Sequence, residues 1–221
     1  MNSQIDFEQA RFNMIEQQIR PWEVLDQSVL DLLQELHRED FVADEHKELA
    51  LADLNIPLAH GQFMMTPKLE ARLLQALGLK RTDSVLEIGT GSGYLTALMS
   101  RFAKNVETID VYGDFIAEAT TKLKSYGIDN VKLDEADFFG DWRYSGQYDA
   151  IVLTGSLPTL DPSIQENLAI GGRLFLVVGE APIMEAQLIT RVGESDYSTE
   201  TILETELPSL IGASVPSSFE L

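Results

Sequence analysis

The amino-acid sequence predicts an α/β fold with a doubly wound, mostly parallel sheet and an N-terminal helical segment. The first observation is that short apolar strands alternate with helices from residue 84 to residue 178. The second is a glycine-rich turn, GTGSG, that leads from the first of these strands directly into a helix. The third is a pair of late stretches in which apolar and polar residues alternate, as in antiparallel strands. Strands and helices alternating at this spacing indicate parallel strands joined by right-handed crossovers.

The N-terminal segment, residues 1–67, is predicted to consist of helices and loop packed on the sheet domain. Residues 7–40 have apolar positions at helical spacing, and Pro21 interrupts them because proline cannot continue the helical hydrogen bonding. Asp26 is placed to cap the second of the two helices. Residues 41–67 contain Pro and Gly without a regular period, so we expect an ordered loop with short pieces of structure.

The α/β domain is predicted over residues 68–211, and a loose tail is predicted at 212–221. Apolar periodicity of about 3.6 residues predicts the helices, and short apolar or alternating runs predict the strands. The predicted helices are Lys68–Leu79, Tyr94–Phe102, Asp114–Tyr126 and Ser163–Leu168. The predicted strands are Ser84–Ile88, Asn105–Ile109, Asn130–Leu133, Tyr148–Thr154, Gly172–Val178, Ala186–Val192 and Ser198–Leu207.

Charge excludes several classes of function. The chain has 221 residues, with 16 Lys and Arg against 36 Asp and Glu, which gives a formal net charge of −20. Nucleic-acid binding depends on basic residues that displace phosphate counterions, so neither a nucleic acid nor an anionic membrane is expected as a partner. The apolar runs fall well short of the roughly 18 residues that span a membrane, and the N-terminus is unlike a secretory signal. Small molecules, cationic ligands and other proteins remain as partners.

The cysteine and histidine content narrows the chemistry further. The chain has no cysteine, which excludes disulfides, cysteine-ligated zinc and thiol nucleophiles. This composition fits a reducing cytoplasm, which is the predicted location. The three histidines, His37, His46 and His60, are scattered along the chain, so no metal site is expected. His60, beside a Gly-Gln pair, is the histidine most worth testing.

The glycine-rich turn carries the clearest functional signal. Three alternate glycines between a strand and a helix let the backbone approach a ligand closely. Dinucleotide sites use the pattern G-x-G-x-x-G, but the third glycine of that pattern would fall on Tyr94, so the turn is G-x-G-x-G. Glu87, two residues before the first glycine, would repel a pyrophosphate and favour a ligand with a cationic group.

Acidic residues also follow the next two strands. Asp110 ends the second strand, about 20 residues after the turn begins, where a carboxylate can accept hydrogen bonds from ribose hydroxyls. Asp137 follows the third strand and can face an adenine amino group. A nucleoside with a positive group and no phosphate, S-adenosylmethionine, fits these three acids. Alternatives stay open: the glycines as a simple tight turn, Asp110 as a helix cap and Asp137 as a solvated loop acid.

Several segments resemble the protein-L-isoaspartate O-methyltransferases, a family of class I S-adenosylmethionine-dependent methyltransferases. The resemblance covers roughly residues 8–180, and VLEIGTGSGY at Val85–Tyr94 is similar to the family's first motif almost letter for letter. The finer assignment rests on the N-terminal part and on later strands. The segments are Met14–Ile19, Arg38–Val42, Ala52-Asp53 with Ile56-Pro57, Gly61-Gln62 with Pro67, Asp149–Ile151, and Gly171-Gly172 with Gly179.

The resemblance implies a Rossmann-like fold, a cofactor and a reaction. The expected sheet has seven strands, the last of them in a rearranged order. The expected reaction is methylation of the α-carboxylate of isoaspartyl residues in damaged proteins, so the partner is a protein or peptide carrying such residues. The residues expected to bind S-adenosylmethionine are Glu87, Gly89, Thr90, Gly91, Ser92 and Gly93, with Asp110 and Val111 at the ribose and Asp137 and Phe138 at the adenine.

The sequence departs from the family pattern on the substrate side. The family carries a Ser within G-Q-x-x-S-x-P, and here that position is Met65, with the hydroxyl of Thr66 one residue later. Thr66 is therefore the candidate catalytic residue, and Gln62, Met65, Thr66 and Thr154 are the candidate substrate-binding residues. The segment after Leu207 also lacks the family's Phe-Val-Pro pattern. Two alternatives remain: a methyltransferase with a different acceptor, or a non-catalytic protein that binds S-adenosylmethionine.

Overall fold

The structure, a computed structural model, describes residues 5–140 and 142–213. The chain begins with α1 (Phe7–Met14), which Asp6 caps, and α1 continues through irregular helical turns that end at Trp22. The second helix is α2 (Gln27–Glu35). Two helices with a break near Pro21 are therefore present, as the apolar spacing predicts. The carboxylate of Asp26 accepts the backbone N–H of Ser28 at 2.9 Å, which confirms Asp26 as the cap of α2.

The predicted loop at 41–67 contains a small hairpin that the sequence pattern does not reveal. Strands β1 (Ile56–Pro57) and β2 (Phe63–Met64) pair antiparallel, and a tight turn that includes His60 joins them. Strands of two residues are too short to show an alternating pattern, so periodicity could not predict them. The chain then enters α3 (Pro67–Leu77), which ends at Gly78 in a left-handed conformation.

The centre of the molecule is a seven-stranded sheet. Its strands are β3 (Ser84–Ile88), β4 (Asn105–Asp110), β5 (Val131–Glu135), β6 (Tyr148–Leu157), β7 (Leu168–Glu180), β8 (Ile183–Arg191) and β9 (Tyr197–Glu204). Their spatial order is β5-β4-β3-β6-β7-β8-β9. The strands from β5 to β7 are parallel, whereas β8 and β9 follow as antiparallel strands. The rearranged order expected for the last strands is wrong, because β6 to β9 lie side by side in chain order, with β7, β8 and β9 paired as consecutive antiparallel neighbours. The crossovers contain α4 (Tyr94–Phe102), α5 (Gly113–Ser125) and α6 (Pro162–Gln165).

Alternating side chains of the central strands divide the core between the two faces of the sheet. In β3, Val85 joins one apolar cluster, while Leu86 and Ile88 join the other. The first cluster also contains residues of α1, α2, α3 and α4, so the N-terminal segment packs directly on this face. The N-terminal segment therefore covers this face of the sheet. The hairpin formed by β1 and β2 reaches the carboxyl ends of the parallel strands.

Several predicted elements differ from the observed ones in extent; strand β7, for example, begins at Leu168 and not at the predicted Gly172. The helix expected at Ser163–Leu168 is the single short turn α6, because Leu168 already pairs with Tyr148 as the first residue of β7. Of the predicted tail, residues 214–221 lie outside the described residues, and Gly212 packs near Phe139. Among residues 5–140 and 142–213, none of the helices combines the length and the apolar character that a membrane crossing requires.

Candidate active site

A cavity lies at the carboxyl ends of the parallel strands. Strand β3 pairs with β4 on one side and with β6 on the other, so the order of the chain reverses here. Open α/β sheets bind ligands at such a switch point. The cavity, with its open mouth, spans about 700 Å³. Its lining combines the strand ends with two distant segments, and it includes Gly89, Gly91, Asp110, Val111, Phe138, Thr154, Leu58, Gln62 and residues 207–211.

The glycine-rich turn is shaped by backbone contacts to β4 and by the lack of side chains. The N–H groups of Gly89 and Thr90 both donate to the carbonyl oxygen of Ile109, at 2.8 and 3.2 Å. Gly89 has a φ of +98°, and a Cβ there would lie 2.1 Å from Oγ1 of Thr154. Only glycine fits this position, because the conformation and the neighbouring side chain both exclude a Cβ.

The other two glycines of the turn have different roles. Gly91 has a φ of +49° and lines the cavity, with its Cα facing Leu58 of the hairpin. Gly93 begins α4, and a Cβ there would lie 2.8 Å from the Cβ of Ala119 in α5. Gly93 therefore allows two helices to approach closely, whereas Gly91 leaves room for a ligand.

Asp110 joins the end of β4 to the glycine turn. Its carboxylate accepts the N–H of Gly91 at 2.9 Å and the N–H of Tyr112 at 3.0 Å. Burial raises the pKa of Asp110, while these backbone hydrogen bonds act in the opposite direction. Each carboxylate oxygen can accept more than one hydrogen bond, so Asp110 keeps acceptor capacity toward the cavity that it lines.

Glu87 is a fully buried carboxyl group with one oxygen unused. Its Oε2 accepts hydrogen bonds from the hydroxyls of Thr96 and Thr108. Its Oε1 is buried and has no hydrogen-bond partner among the described residues. Burial raises the pKa of Glu87 to about 8. An unpaired buried carboxyl oxygen is costly, so this atom fits a ligand that brings a positive group or a hydrogen-bond donor.

A second, smaller cavity of about 320 Å³ adjoins the first. The two share Leu58, Phe63, Gly89, Gly91 and Thr154 in their linings. The smaller cavity is further lined by Met64, Met65, Glu70, Glu87, Thr90, Ser92 and Leu95. Burial raises the pKa of Glu70 to about 7, and the positive charge of Arg38 opposes that rise. After the roles that the family resemblance implies for Asp110 and Met65, we call the larger space the cofactor cavity and the smaller one the acceptor cavity.

The hairpin turn between β1 and β2 lies beside both cavities and contacts the start of α5. The ring of His60 stacks on Tyr112 with centroids 3.9 Å apart, and its Nε2 lies 2.7 Å from Oδ2 of Asp114. The N–H of Leu58 donates to the carbonyl oxygen of Gln62 at 2.8 Å, which closes the turn. These contacts hold the hairpin turn in place, with Leu58 close to Gly91 of the glycine turn.

The segment after β9 forms another wall. The N–H of Ser156 donates to Pro208 O at 2.9 Å, and the N–H of Leu210 donates back to Ser156 O at 3.0 Å. Residues 207–211 thus lie beside β6, beyond the point where β3 ends, and they line the cofactor cavity. The segment after Leu207 lacks the family's Phe-Val-Pro pattern, but it still lines the cavity.

A protein-family model described as protein-L-isoaspartate(D-aspartate) O-methyltransferase (PCMT) matches residues 9–208. The chain belongs to this family. A protein-L-isoaspartate O-methyltransferase 2 of Pelobacter propionicus is 34% identical over 207 residues, which cover 93% of this chain and 92% of the relative. A protein-L-isoaspartate O-methyltransferase of Anaeromyxobacter dehalogenans is 38% identical over 186 residues, 84% of this chain and 88% of the relative. The resemblance expected from the motifs is confirmed.

Solved structures show the same fold. A Plasmodium falciparum structure, described as a protein-L-isoaspartate O-methyltransferase in complex with S-adenosyl-L-homocysteine, aligns with a TM-score of 0.76 at 19% identity, covering 94% of this chain and 99% of that one. A second protein-L-isoaspartate O-methyltransferase aligns with a TM-score of 0.76 at 22% identity, covering 93% of this chain and 66% of that one. The predicted class I methyltransferase fold, with its seven-stranded sheet, is confirmed.

The structure brings most of the predicted site residues of this family member to the two cavities. The cofactor cavity is lined by Gln62, Gly89, Gly91, Asp110, Val111, Phe138 and Thr154. The acceptor cavity is lined by Met65, Glu87, Thr90 and Ser92. The order along the chain, a strand followed by a glycine turn and a helix, explains why these residues could be predicted together.

Three predicted residues lie outside both linings. Thr66 accepts the N–H of Leu69 at 3.4 Å as the N-cap of α3, so its hydroxyl serves the helix and not the cavity. Gly93 packs against α5. Asp137 is exposed, and its carboxylate accepts the N–H of Phe139 at 3.0 Å within a local turn. The structure therefore does not bring the candidate catalytic hydroxyl into the site.

Other site residues were not predicted from the sequence. Leu58, Tyr112, Phe115 and residues 207–211 line the cofactor cavity without any local motif. Glu70 did carry a signal, because it is an acid beside the apolar stripe of α3 and is buried in the structure. Within the described part of the chain, no group of three or more His, Asp and Glu is arranged to hold a metal ion.

Proposed function

We propose that this chain transfers a methyl group from S-adenosylmethionine to the α-carboxylate of an isoaspartyl residue in a protein or peptide. Membership of the protein-L-isoaspartate O-methyltransferase family supports the reaction class. The observation that carries the cofactor assignment is the unpaired, buried Oε1 of Glu87 beside a glycine turn whose Gly89 excludes any side chain. A phosphate-bearing nucleotide would meet this carboxyl group unfavourably, whereas a ligand with an ammonium and a sulfonium group would not.

The residues present fit the parts of S-adenosylmethionine. Glu87 would hold the ammonium group, with the backbone of the glycine turn along the methionine chain. Asp110 would accept hydrogen bonds from the ribose hydroxyls, because its carboxylate faces the cofactor cavity. Phe138 and Phe139, whose rings make an edge-to-face contact, would border the adenine, with Val111 near them and Asp137 at its exposed edge. When bound, this cofactor supplies a methyl group that is activated by the positive charge on sulfur.

The chain's own residues have a limited task in this reaction. A carboxylate acceptor has an ordinary pKa near 4 and is already ionised at neutral pH, so the protein needs no general base. Its contribution is to align the acceptor and to exclude water. Leu58, Phe63 and Met65 form an apolar wall of the acceptor cavity. Gln62 and Thr154 lie at the border of the cavities as polar groups that would orient the acceptor.

A second candidate is transfer to an acceptor other than an isoaspartyl carboxylate. Its support is local: Met65 replaces the hydroxyl residue of the family, and the hydroxyl of Thr66 caps α3. Glu70 also places a carboxyl group in the acceptor cavity, in addition to Glu87, which would hold the cofactor; an ionised Glu70 favours a neutral or cationic acceptor. For either acceptor the lack of cysteine favours a cytoplasmic location.

The test is transfer of a labelled methyl group to an isoaspartyl peptide and to the matched aspartyl peptide. We expect label in the isoaspartyl peptide and none in the control. Binding of S-adenosylhomocysteine is measured separately by calorimetry. Binding without label in either peptide would reject the isoaspartyl acceptor and favour the second candidate or a non-catalytic role. Failure to bind would reject the cofactor assignment itself.

A further inference from the structure

Arg38 connects the N-terminal segment to the acceptor cavity. Its side chain is 1% exposed. Its nitrogen atoms donate to different segments: Nε to the carbonyl oxygen of Ala50 at 2.9 Å, Nη1 to Oε2 of Glu70 at 3.0 Å, and Nη2 to the carbonyl oxygen of Met65 at 2.5 Å. The guanidinium also lies 5.4 Å from the ring centroid of Tyr94, in α4 next to the glycine turn. One buried side chain therefore fixes several segments relative to one another.

Two of the hydrogen-bonded partners of Arg38, Met65 and Glu70, line the acceptor cavity. Met65 lies between the end of β2 and the start of α3, so it belongs to neither element. Among the side chains that the structure describes, only that of Arg38 donates to the Met65 carbonyl oxygen. The path of the backbone at this wall of the cavity therefore depends on a residue 27 positions earlier in the chain.

We propose that Arg38 is a positioning residue for methyl transfer, which fixes the Met65 backbone and Glu70 at the distance from the glycine turn that the acceptor requires. The proposal rests on the proposed function. Alignment of nucleophile and methyl group supplies most of the rate in such a reaction, and a displacement of about 1 Å can cost about 100-fold. Arg38 does not touch the acceptor; it acts through Met65 and Glu70.

Arginine suits this position and lysine does not. The planar guanidinium presents donors in fixed directions, whereas a lysine ammonium is one compact charge on a flexible stem. An Arg38→Lys variant can keep the charge next to Glu70 but cannot reach all the present acceptors with the same geometry. It therefore separates the positioning role from the neutralisation of a buried carboxylate.

The first experiment compares Arg38→Lys with Arg173→Lys. Arg173 is also largely buried, donates to Asp83 at 2.7 Å and to the Gly78 carbonyl oxygen at 3.4 Å, and lines neither cavity. For Arg38→Lys we expect kcat on the isoaspartyl peptide to fall by about 30-fold or more, with the dissociation constant of S-adenosylhomocysteine within about twofold. Arg173→Lys should change neither. Equal effects of the two substitutions on kcat would overturn the proposal.

The second experiment does not depend on turnover. Hydrogen exchange is followed in peptides that cover residues 62–70 and, as a reference, strand β8. In Arg38→Lys, exchange should be about tenfold faster in 62–70 and unchanged in β8, because the Met65 anchor is weakened. Unchanged exchange in 62–70 would overturn the proposal, whatever the activity. If the wild-type chain methylates no isoaspartyl peptide, the proposed function fails, and faster exchange still supports Arg38 as the anchor of this wall.

A double variant controls for the buried charge. Removing Arg38 alone would leave Glu70 unpaired in the interior, which destabilises proteins strongly. Arg38→Met with Glu70→Met removes both charges at similar volume and still removes the contact to Met65. We expect this variant to fold and to bind S-adenosylhomocysteine. Its kcat on the isoaspartyl peptide should still be about 30-fold or more below that of the wild type. Wild-type kcat in the folded double variant would overturn the proposal.

Discussion

The two sides of the site are built in different ways. The cofactor side, residues 85–111, is one continuous stretch of chain whose shape is set by glycine backbone and by hydrogen bonds between β3, the glycine turn and β4. The acceptor side consists of Leu58–Glu70, and the path of its backbone depends on Arg38, which lies 27 positions before Met65. The first is shaped by contacts within one stretch of chain, whereas the second is held by a side chain from outside its own stretch.

This difference explains how each side tolerates change. On the cofactor side, Gly89 and Asp110 satisfy backbone requirements that no other residue type meets as well. On the acceptor side the walls are mostly apolar side chains, for which several residue types can fill similar space. Met65 in place of a hydroxyl residue is such a change. The substrate side of a methyltransferase can therefore vary while its cofactor side is retained.

The largest expected effect is on the cofactor side. In Gly89→Ala the new Cβ would collide with Oγ1 of Thr154, and a φ of +98° is strained for alanine. We expect the affinity for S-adenosylhomocysteine, measured by calorimetry, to fall by about 100-fold or more, because the turn must move.

The matched control is Gly127→Ala. Gly127 also has a positive φ, +63°, but nothing lies within 4 Å of its Cβ position. This substitution adds backbone strain without disturbing the glycine-rich turn at Gly89. The affinity for S-adenosylhomocysteine should therefore stay at the wild-type value. An equal loss of affinity in both variants would show that reduced stability, and not the turn, explains the effect.

The next effect concerns Glu87 and pH. Its pKa is about 8 in the folded protein against 4.5 ordinarily, so the folded state holds a proton that the unfolded chain releases. The contribution of Glu87 to stability is therefore complete below pH 4.5 and is lost as the pH rises to about 8. Relative to Glu87→Gln, the free energy of unfolding of the ligand-free wild type should fall by up to about 1.4 kcal/mol per pH unit in this window.

Chemical denaturation at pH 6, 7 and 8 measures this difference. The like charges of Asp110 and Glu70 act in the same direction as burial, so the wild type should lose stability relative to the variant at each step. Glu204→Gln, which changes an exposed residue of β9, is the surface control. Its free energy of unfolding should change with pH as that of the wild type does. If the free energy of unfolding of Glu87→Gln also changed with pH as that of the wild type does, the burial of an unpaired carboxyl group would be contradicted.

Sequence patterns predicted the cofactor side well because its determinants are close together in the chain. The strand, the glycines, Glu87 and Asp110 lie within 27 residues, and the period of the apolar residues predicted the strands of the sheet. The acceptor side could not be predicted in this way. The contact of Arg38 with Met65 depends on packing between distant segments, and the capping role of Thr66 decides where its hydroxyl points.

A smaller effect is expected where the two sides meet. His60→Ala removes the stack on Tyr112 and the contact to Asp114 that hold the hairpin turn over the cofactor cavity. An aromatic stack contributes about 0.5–1.5 kcal/mol, so we expect a loss of about 2- to 10-fold in affinity for S-adenosylhomocysteine. His46→Ala is the control, since His46 lies in neither cavity lining. Equal affinities of the two variants would mean that the hairpin turn does not cover the ligand.

The smallest expected effect tests the acceptor side directly. Met65→Ser would restore a hydroxyl to a wall whose backbone Arg38 already holds, and a new hydrogen bond to the acceptor is worth about 1 kcal/mol. We expect kcat/KM on the isoaspartyl peptide to rise by about threefold, net of the packing lost with the Met65 side chain. Met64→Ser, which alters the same cavity from β2, should give no gain. A gain in both variants would point to added space and not to the hydroxyl, and a gain in neither would mean that the acceptor does not bind at Met65.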